Sequence, residues 1–200
     1  MPGDSAPINL TNHFLIAMPA LDDGLFTKSV VYVCEHSPQG ALGLVINKPS
    51  DISLGELFDK VDMSLGRTDL KNTPVFQGGP LQLDRGFVLH PSQTAGDGDT
   101  AEQVYASGMR IPESGLEMTT SRDLLEALSN GAGPRKLLLT LGYSSWGEGQ
   151  LESELGANAW LTVAADQAII FDSPIAQRWD DALALLGLQP WMISSDAGHA

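Results

Sequence analysis

The segment formed by residues 29–47 restricts the possible folds more than any other part of the chain. Its first run, residues 29–35, is rich in β-branched side chains, and a second apolar run covers residues 41–47. Only a short segment, residues 37–40, with a proline and a glycine, separates the two runs. Two apolar runs of strand length joined by so short a connection predict an antiparallel β-hairpin.

Other short apolar runs extend the strand pattern along the chain. They predict strands at residues 14–18, 75–76, 86–90, 136–141, 160–164 and 168–171. The run at 136–141 is continuously apolar, so we expect it at the centre of a sheet. The last two runs are separated by only three residues and predict a second hairpin.

Four helices are predicted, each separated from the next by at least one strand. Ser53, with Glu56 three residues later, forms a capping box for a helix at 54–61. The other helices are predicted at residues 119–130, 148–155 and 174–186. Because a strand is predicted between each pair, no two consecutive helices are available for a helix-turn-helix DNA-binding motif.

The mixture of about eight strands and four helices lacks a regular βαβ alternation. An α+β fold with a mixed sheet is therefore favoured over a doubly wound parallel sheet. We expect one compact domain over residues 1–200, with fraying ends at about 1–8 and 194–200. The segment 92–114 contains a Gly-Asp-Gly-Asp run and is predicted to be a mobile loop.

The charge balance limits the partners of the protein. Lys and Arg total 11 against 25 Asp and Glu, which gives a formal net charge of −14. The affinity of proteins for nucleic acids comes largely from cations that displace counterions from phosphates. The cations are also scattered, with Arg135 and Lys136 as the only adjacent pair. We therefore expect no direct binding to nucleic acids.

Cysteine content and hydropathy indicate the compartment. Cys34 is the only cysteine, so no intramolecular disulfide can form, which fits a reducing compartment. The first seven residues contain no cation and no apolar run of the kind found in secretory leaders. No run approaches the ~18 consecutive apolar residues that span a bilayer. The sequence therefore predicts a cytoplasmic protein without a membrane segment.

Gly142, Gly147 and Gly149 are predicted to punctuate a connection between a strand and the helix at 148–155. Amide groups at the start of that helix are suited to an anion or a carboxylate ligand. The structural alternative is that the glycines permit a tight turn while Trp146 fills the core. The sequence alone leaves both alternatives open.

Two further groups are candidates for the same site. Gln150, Glu154 and Asn158 recur every four residues, so they line a polar pocket or, as we favour, cap the helix. The Gly78-Gly79 pair offers backbone amides to a ligand, or makes a turn that the chain needs.

Asn47 and Lys48 follow the second run of the hairpin and precede a capped helix. A lysine near a helix N-terminus suits a phosphate or carboxylate ligand, although a solvated or ion-paired lysine is more usual. Neither a P-loop nor a Gly-x-Gly-x-x-Gly motif after a strand is present. A nucleotide site of standard type is therefore not predicted.

Cys34 and His36 alternate along one predicted strand and are expected to project from the same face. A nucleophilic Cys/His pair needs hydrogen-bond contact and a third orienting group, whereas a cysteine in an apolar run is usually a small core residue. His90 is the only other plausible zinc ligand, and no CxxC or HxxxH spacing is present. A metal site is therefore not predicted.

Three clusters occur in a fixed order along the chain: GALGLVINKP at residues 40–49, QGGPL and RGFVLHP within 77–91, and LGYSSWGEGQLESELGANAWL at 141–161. Together they resemble the AlgH/YqgE family of bacterial proteins over about residues 9–188. The resemblance implies a compact α+β fold with a mixed or antiparallel bent sheet that closes toward a barrel, flanked by about four helices. Members are commonly described as transcriptional regulators. The resemblance brings no agreed reaction, cofactor or catalytic residue.

Two functions from different classes are compatible with these features. The favoured one is a regulatory module that binds a small ligand or a protein partner and acts on transcription indirectly, without a cofactor or a metal. Its site is expected to include Asn47, Lys48, Gly78, Gly79, His90, Gly142, Trp146, Gln150, Glu154 and Asn158. The alternative is an enzyme that acts on a small anion through His36, Lys48, His90 and the loop at 142–149. Convergence of His36, Lys48, His90 and Trp146 in one pocket favours the enzyme, and their dispersal favours the module.

Overall fold

A curled β-sheet forms the frame of this computed structural model, which describes residues 7–21, 24–92, 108–120 and 122–193. Those ranges contain ten strands: β1 His13–Ala17, β2 Val30–Ser37, β3 Gly40–Val45, β4 Pro49–Ser53, β5 Pro74–Gln77, β6 Leu81–Pro91, β7 Gly108–Ile111, β8 Leu116–Thr119, β9 Leu138–Trp146 and β10 Trp160–Ala164. The same ranges contain five α-helices: α1 Leu54–Lys60, α2 Arg122–Ser129, α3 Gln150–Gly156, α4 Gln167–Phe171 and α5 Arg178–Ala184. Short 3-10 helices lie at Gly24–Phe26, Thr68–Leu70, Ile175–Gln177 and Pro190–Ile193.

The strands are ordered β10-β1-β2-β3-β9-β6-β8-β7, and β4 joins the sheet through β5. Neighbouring strands run antiparallel except β5 and β9, which pair in parallel. The sheet curls into a half-barrel, so the expected α+β class with a mixed, bent sheet is confirmed. The predicted hairpin is also confirmed, since β2 and β3 pair from Val31 opposite Val45 to Ser37 opposite Gly40.

The alternation of side chains along the strands creates one inner core and two outer cores. The inner core contains Phe14, Tyr32, Phe76 and Leu89, and α5 packs on it through Trp179. Neighbouring residues in the same strands point outward, because successive side chains of a strand face opposite sides. The α3 core and the α1–α2 core, named after the helices that cover them, are formed by these outward residues.

A β-bulge in β2 overturns the expectation that Cys34 and His36 share a face. Val33 pairs with Gly43 and Glu35 pairs with Leu42, so Cys34 is the extra residue between them. A bulge shifts the alternation of the strand by one residue. Cys34 therefore points into the inner core, whereas the His36 side chain contacts Glu152 of α3 on the opposite side.

Strand β9 is longer than the predicted run at 136–141 and continues to Trp146. The connection expected at Gly142 is therefore wrong; this residue lies inside the strand. Gly142 has φ +78°, which a glycine adopts at little cost. Leu141 belongs to the outer α1–α2 core, whereas Tyr143 packs on the inner core, so the kink changes the face on which side chains emerge.

Two predictions near the C-terminus are wrong. The run at 168–171 forms helix α4 rather than a strand, because Asp166 caps the helix by accepting from the Ala168 amide and Ile169 and Ile170 are both buried. Tertiary packing thus outweighs the β propensity of these residues. The final helix begins at Arg178 after a 3-10 turn, with Gln177 at the N-cap instead of Ser173.

Because residues 168–171 form a helix instead of a strand, α4 and α5 are consecutive helices. The argument that the order of elements excludes a helix-turn-helix motif is therefore wrong.

The predicted helix at 119–130 starts later than expected, because Leu116–Thr119 forms β8 and α2 spans Arg122–Ser129. Of the predicted mobile loop at 92–114, residues 93–107 lie outside the described residues. The expected fraying at 194–200 and at residues 1–6 lies outside them as well.

Candidate functional site

An apolar cavity of about 170 Å³ lies between the outer face of the sheet and helices α1 and α2. Phe58 of α1, Val88 of β6 and Leu139 of β9 line it and are almost completely buried. Leu125 of α2 and Leu141 of β9, which are partly exposed, complete its apolar wall. We refer to this space as the α1–α2 cavity.

Local hydrogen bonds fix the start of α1 over the sheet. The predicted capping box is present, with Ser53 Oγ accepting from the Glu56 amide at 3.3 Å and Glu56 Oε2 accepting from the Ser53 amide at 2.7 Å. These bonds lower the pKa of Glu56. The Leu54 amide also donates to the Thr73 carbonyl at 2.8 Å, which ties the first turn to the chain before β5.

The end of α1 leaves the cavity open to solvent. Leu57 and Val61 lie one turn apart on the helix and both line the cavity. Val61 is the C-cap residue, and 45% of its surface is exposed. The exposed Val61 side chain therefore marks the open side, or mouth, of the cavity.

The mouth also carries polar groups. Strand β6 protrudes between Leu81, opposite Tyr143, and Gly86, opposite Leu141. The protrusion places the exposed Asp84 against the cavity. Thr119 and Thr120 at the end of β8 complete the polar part of the lining.

Thr119 is oriented by the buried His90. His90 Nδ1 lies 2.9 Å from the Pro91 carbonyl oxygen, which can only accept, so Nδ1 carries a proton. The other ring nitrogen, Nε2, lies 2.9 Å from Thr119 Oγ1. This hydrogen bond uses the Thr119 hydroxyl within the fold.

Gly78, Gly79 and Gly142 meet where two backbone segments cross. A Cβ atom on Gly79 would lie 2.1 Å from the Tyr143 carbonyl carbon, and one on Gly78 would lie 2.4 Å from the Gly142 oxygen. The Gly78 amide donates to the Leu141 carbonyl at 3.0 Å. The glycines therefore serve close packing of the backbone, and this amide is already used within the fold.

Asn47 and Lys48, which follow β3, form hydrogen bonds with the chain at the start of β2. Asn47 Oδ1 accepts from the Val30 amide at 2.9 Å, and Asn47 Nδ2 donates to the Lys28 carbonyl at 2.8 Å. Lys48 Nζ donates to the Thr27 carbonyl at 2.5 Å. Burial, with a smaller contribution from Lys28, lowers the pKa of Lys48. Strand β4 separates this pair from the start of α1.

Trp146 belongs to the α3 core, where its ring meets Trp160 at a centroid distance of 6.1 Å in an edge-on arrangement. Gln150 Oε1 accepts from the Gly147 amide at 3.0 Å, a bond within the turn that precedes α3. The backbone carbonyl of Glu154 accepts from the Ala159 amide. Asn158 has φ +57° and reverses the chain after α3. The N-cap of α3 is Gly149, without a side-chain cap hydrogen bond, and its C-cap is Ala157, so the capping interpretation of Gln150, Glu154 and Asn158 stays a prediction.

His36 has both ring nitrogens engaged. Its Nδ1 accepts from the Leu10 amide at 2.9 Å, so its Nε2 carries the proton that is directed to Glu152 Oε1 at 2.7 Å. The Cys34 thiol is buried in the inner core, where burial, followed by the nearby Glu35 carboxylate, raises its pKa. A nucleophilic Cys/His pair is therefore absent from this part of β2.

The four residues whose convergence would favour an enzyme are dispersed. His36 and Trp146 lie under α3 on strands β2 and β9. His90 lies on β6, three strand positions from β2, which corresponds to about 14 Å. Lys48 lies in the connection between β3 and β4 and contacts Thr27. Of the four, none lines the α1–α2 cavity.

A buried cation that the sequence analysis did not identify holds α5 against the sheet. Arg178 is only 6% exposed and donates to the carbonyls of Ile46 and Ser173. Its guanidinium lies 5.2 Å from the centre of the Phe76 ring. Burial lowers the pKa of Arg178 to about 10. In the sequence, only its spacing of three residues from Ile175, on the apolar side of the predicted last helix, indicates that Arg178 is buried.

The residues of the α1–α2 cavity were also missed. The apolar spacing of Leu57 and Val61 predicts one side of a helix, but not that the helix leaves a cavity. Nothing in the sequence indicated that Asp84 lies at a cavity, because its position depends on the protrusion of β6.

Within the described ranges, no group of three or more His, Cys, Asp or Glu side chains is placed to hold a metal ion. None of the helices in those ranges is long and apolar enough to cross a membrane.

Comparison with known proteins gives close relatives along the whole chain. The family described as AlgH-like matches residues 14–191. A UPF0301 protein of Polaromonas sp. is 68% identical over 200 residues, which cover 100% of both chains. A UPF0301 protein of Paracidovorax citrulli is 66% identical over 214 residues, again with 100% of both chains covered.

Two solved structures are similar to this one. The solution structure of the AlgH protein from Pseudomonas aeruginosa has a TM-score of 0.75 and 44% sequence identity, and covers 99% of this chain and 100% of its own. The crystal structure of protein DIP2367 from Corynebacterium diphtheriae has a TM-score of 0.67 at 20% identity, with coverages of 87% and 85%. At that identity the second structure supports the fold alone.

Proposed function

The chain belongs to the AlgH-like family, and from this premise we propose that it is a cytoplasmic binding module that influences transcription without binding DNA itself. Its binding site is the α1–α2 cavity, which receives a small ligand or an apolar group of a protein partner. The observation that carries the proposal is the combination of a partly enclosed apolar space with an open, partly polar mouth. Ligand sites in proteins are typically concave, mostly apolar and equipped with a few polar groups.

The state of the reactive side chains supports binding over catalysis. A general base or nucleophile must contact the substrate and be available for proton transfer or attack. Cys34 is buried in the inner core, and both nitrogens of His36 are engaged in hydrogen bonds. Lys48 donates to a backbone carbonyl. These groups are spread over separate parts of the sheet.

The surface of the consecutive helices α4 and α5 supports an indirect action on transcription. A recognition helix needs exposed side chains that contact bases and cations that contact phosphates. Arg178, the only cation of α5, is buried, and the first turn of this helix carries Asp180 and Asp181. With a net charge of −14, such a surface repels a phosphate backbone.

Thermal unfolding in the presence of a library of small aromatic compounds tests the proposal. Ligands that bind only the folded state raise its melting temperature. We expect some compounds to stabilise the protein and the control variant Leu186→Trp, but not Leu125→Trp, which fills the cavity. Leu186 is exposed on the segment after α5 and gives the matched substitution outside the cavity.

A second arm tests the mode of action. We expect no retardation of duplex DNA by the protein at low salt, where electrostatic binding is strongest. Retardation under these conditions would contradict an indirect action. Equal stabilisation of the parent protein and Leu125→Trp by every active compound would place the binding site elsewhere.

A further inference from the structure

We propose that the α1–α2 cavity is a site for a small primary amine, with an apolar body held inside and an ammonium group at the mouth. The inference rests on the proposed function and adds the chemical class of the ligand. It follows from three properties of the cavity: its size, the hydrogen-bonding character of its polar lining and the charge at its mouth.

The size of the cavity limits the apolar body. A cavity of roughly 150 Å³ lined by Leu, Ile and Phe is known to bind benzene. The α1–α2 cavity measures about 170 Å³ and is lined by side chains of the same kind, with Phe58, Val88 and Leu139 at its base. It therefore accommodates one phenyl ring or one branched alkyl group, and not a fused ring system.

The polar lining offers hydrogen-bond acceptors. The Thr119 hydroxyl is fully buried and hydrogen-bonded to His90 Nε2, so Asp84 and Thr120 are the polar side chains of the lining that a ligand can reach. The Asp84 carboxylate can only accept. The Thr120 hydroxyl, which also lines the cavity, can both donate and accept. A ligand that matches these groups carries a donor head, and an ammonium group supplies three donors.

The charge at the mouth favours a cation. Asp84 is exposed and forms no ion pair or hydrogen bond with the described residues. The nearest cation in sequence, Arg85, instead lies over the Phe87 ring and donates to Gln82 Oε1. Arg122, at the start of α2, pairs with Glu126 at 3.6 Å. The net charge of −14 adds a long-range attraction for cationic ligands.

The N-terminus of α2, near the mouth, is the feature that would favour an anion. Its first turn contains Asp123, whose Oδ1 accepts from the Leu124 amide at 3.1 Å. This carboxylate compensates the positive end of the helix from within the chain. Among the residues that line the cavity Asp84 is the charged one, so a carboxylate or phosphate ligand is disfavoured.

Titration of the ¹⁵N-labelled protein with benzylamine, benzyl alcohol and benzoate tests the inference. The three probes share the same ring and differ in the head group. We expect benzylamine to shift resonances of residues around the cavity and to bind about two- to fivefold more tightly than benzyl alcohol, the range of one exposed charge pair. Benzoate should bind most weakly.

Two variants make the result decisive. Asp84→Asn removes the charge at an exposed position and should reduce benzylamine to the affinity of benzyl alcohol. Leu125→Trp should abolish the binding of both, whereas Leu186→Trp should bind both like the parent protein. Equal binding of benzylamine and benzyl alcohol by the parent protein, or tighter binding of benzoate, overturns the amine inference and leaves the cavity as the site. No cavity shift with any probe overturns the amine inference and the proposed site together.

Discussion

His36 Nε2 lies 2.7 Å from Glu152 Oε1, which joins the end of β2 to α3 across 116 residues of sequence. The side chain of His36 is 1% exposed and that of Glu152 is 45% exposed, so the contact closes the edge of the α3 core at the surface. Since His36 Nδ1 also accepts from the Leu10 amide, the imidazole connects three separate segments of the chain. Its role in the fold is to hold these segments together.

Replacement of Glu152 by Gln should reduce the free energy of unfolding at pH 7 by less than about 1 kcal/mol, the range of partly exposed pairs. The pKa of Glu152 is lowered first by a hydrogen bond from its own backbone amide and then by His36. A carboxyl group with a lowered pKa in the folded state stabilises the protein above its ordinary pKa of 4.5, and this contribution is lost as the pH falls through the lowered value.

Urea unfolding at several pH values measures this effect. The difference between the parent protein and Glu152→Gln should be largest near neutral pH and should vanish in acid. Glu148→Gln, at an exposed position just before α3, is the control and should unfold like the parent protein. A difference for Glu152→Gln that persists unchanged below pH 4 would contradict the role of its ionised form.

The thiol of Cys34 should react with an aromatic disulfide reagent only as fast as the protein unfolds. It is 1% exposed, and burial is the main cause of its raised pKa, so the reactive thiolate is scarce in the folded state. The absorbance of the released thiolate gives the rate, with Cys34→Ala as the blank. Complete reaction within seconds at neutral pH without denaturant would be incompatible with the buried thiol.

Replacement of Gly79 by Ala should lower the free energy of unfolding by at least about 2 kcal/mol, because the added methyl group meets the backbone of Tyr143. Backbone atoms cannot move aside as the end of a flexible side chain can. Gly156→Ala is the matched control, since its methyl group would meet no atom within 4 Å. Equal stability of the two variants in urea unfolding would show that the crossing at Gly79 is looser than described.

Replacement of Arg178 by Met should cost about 2 kcal/mol of stability, because the buried carbonyl of Ile46 and the partly buried carbonyl of Ser173 lose their donor. Met keeps much of the apolar contact with Phe76 and so isolates the loss of the hydrogen bonds. Arg122→Met, at an exposed position of α2, should change stability by less than about 0.5 kcal/mol. Equilibrium unfolding in urea compares the two variants, and similar losses would contradict a special role for Arg178.

Short sequence motifs correctly predicted those elements that depend mainly on interactions between residues close together in the chain. The hairpin of β2 and β3 follows from two apolar runs and a short turn, and the start of α1 follows from the Ser53–Glu56 capping box. The bulge at Cys34 and the helix at 168–171 could not be predicted in the same way. Both depend on contacts with segments distant in sequence. These contacts determine the side of the sheet on which the Cys34 side chain lies and the packing of Ile169 and Ile170.

The candidate site was less predictable than the fold for a physical reason. The glycine motifs stand out in the sequence, yet Gly78, Gly79 and Gly142 lie where backbones cross closely. The cavity instead combines ordinary apolar residues from two helices and two strands, and its charge comes from the protrusion of β6 that carries Asp84. No single segment contains this information, because the space exists only after the elements have packed.

Intermolecular nuclear Overhauser effects between bound benzylamine and the methyl groups of the protein test the central claim most directly. The account predicts contacts of the ring protons with the methyl groups of Val88, Leu125 and Leu139, which line the α1–α2 cavity. It also predicts that these contacts disappear in Leu125→Trp and persist in Leu186→Trp. Contacts with Leu151 in the α3 core instead, or no contacts with any methyl group at saturating benzylamine, would contradict it.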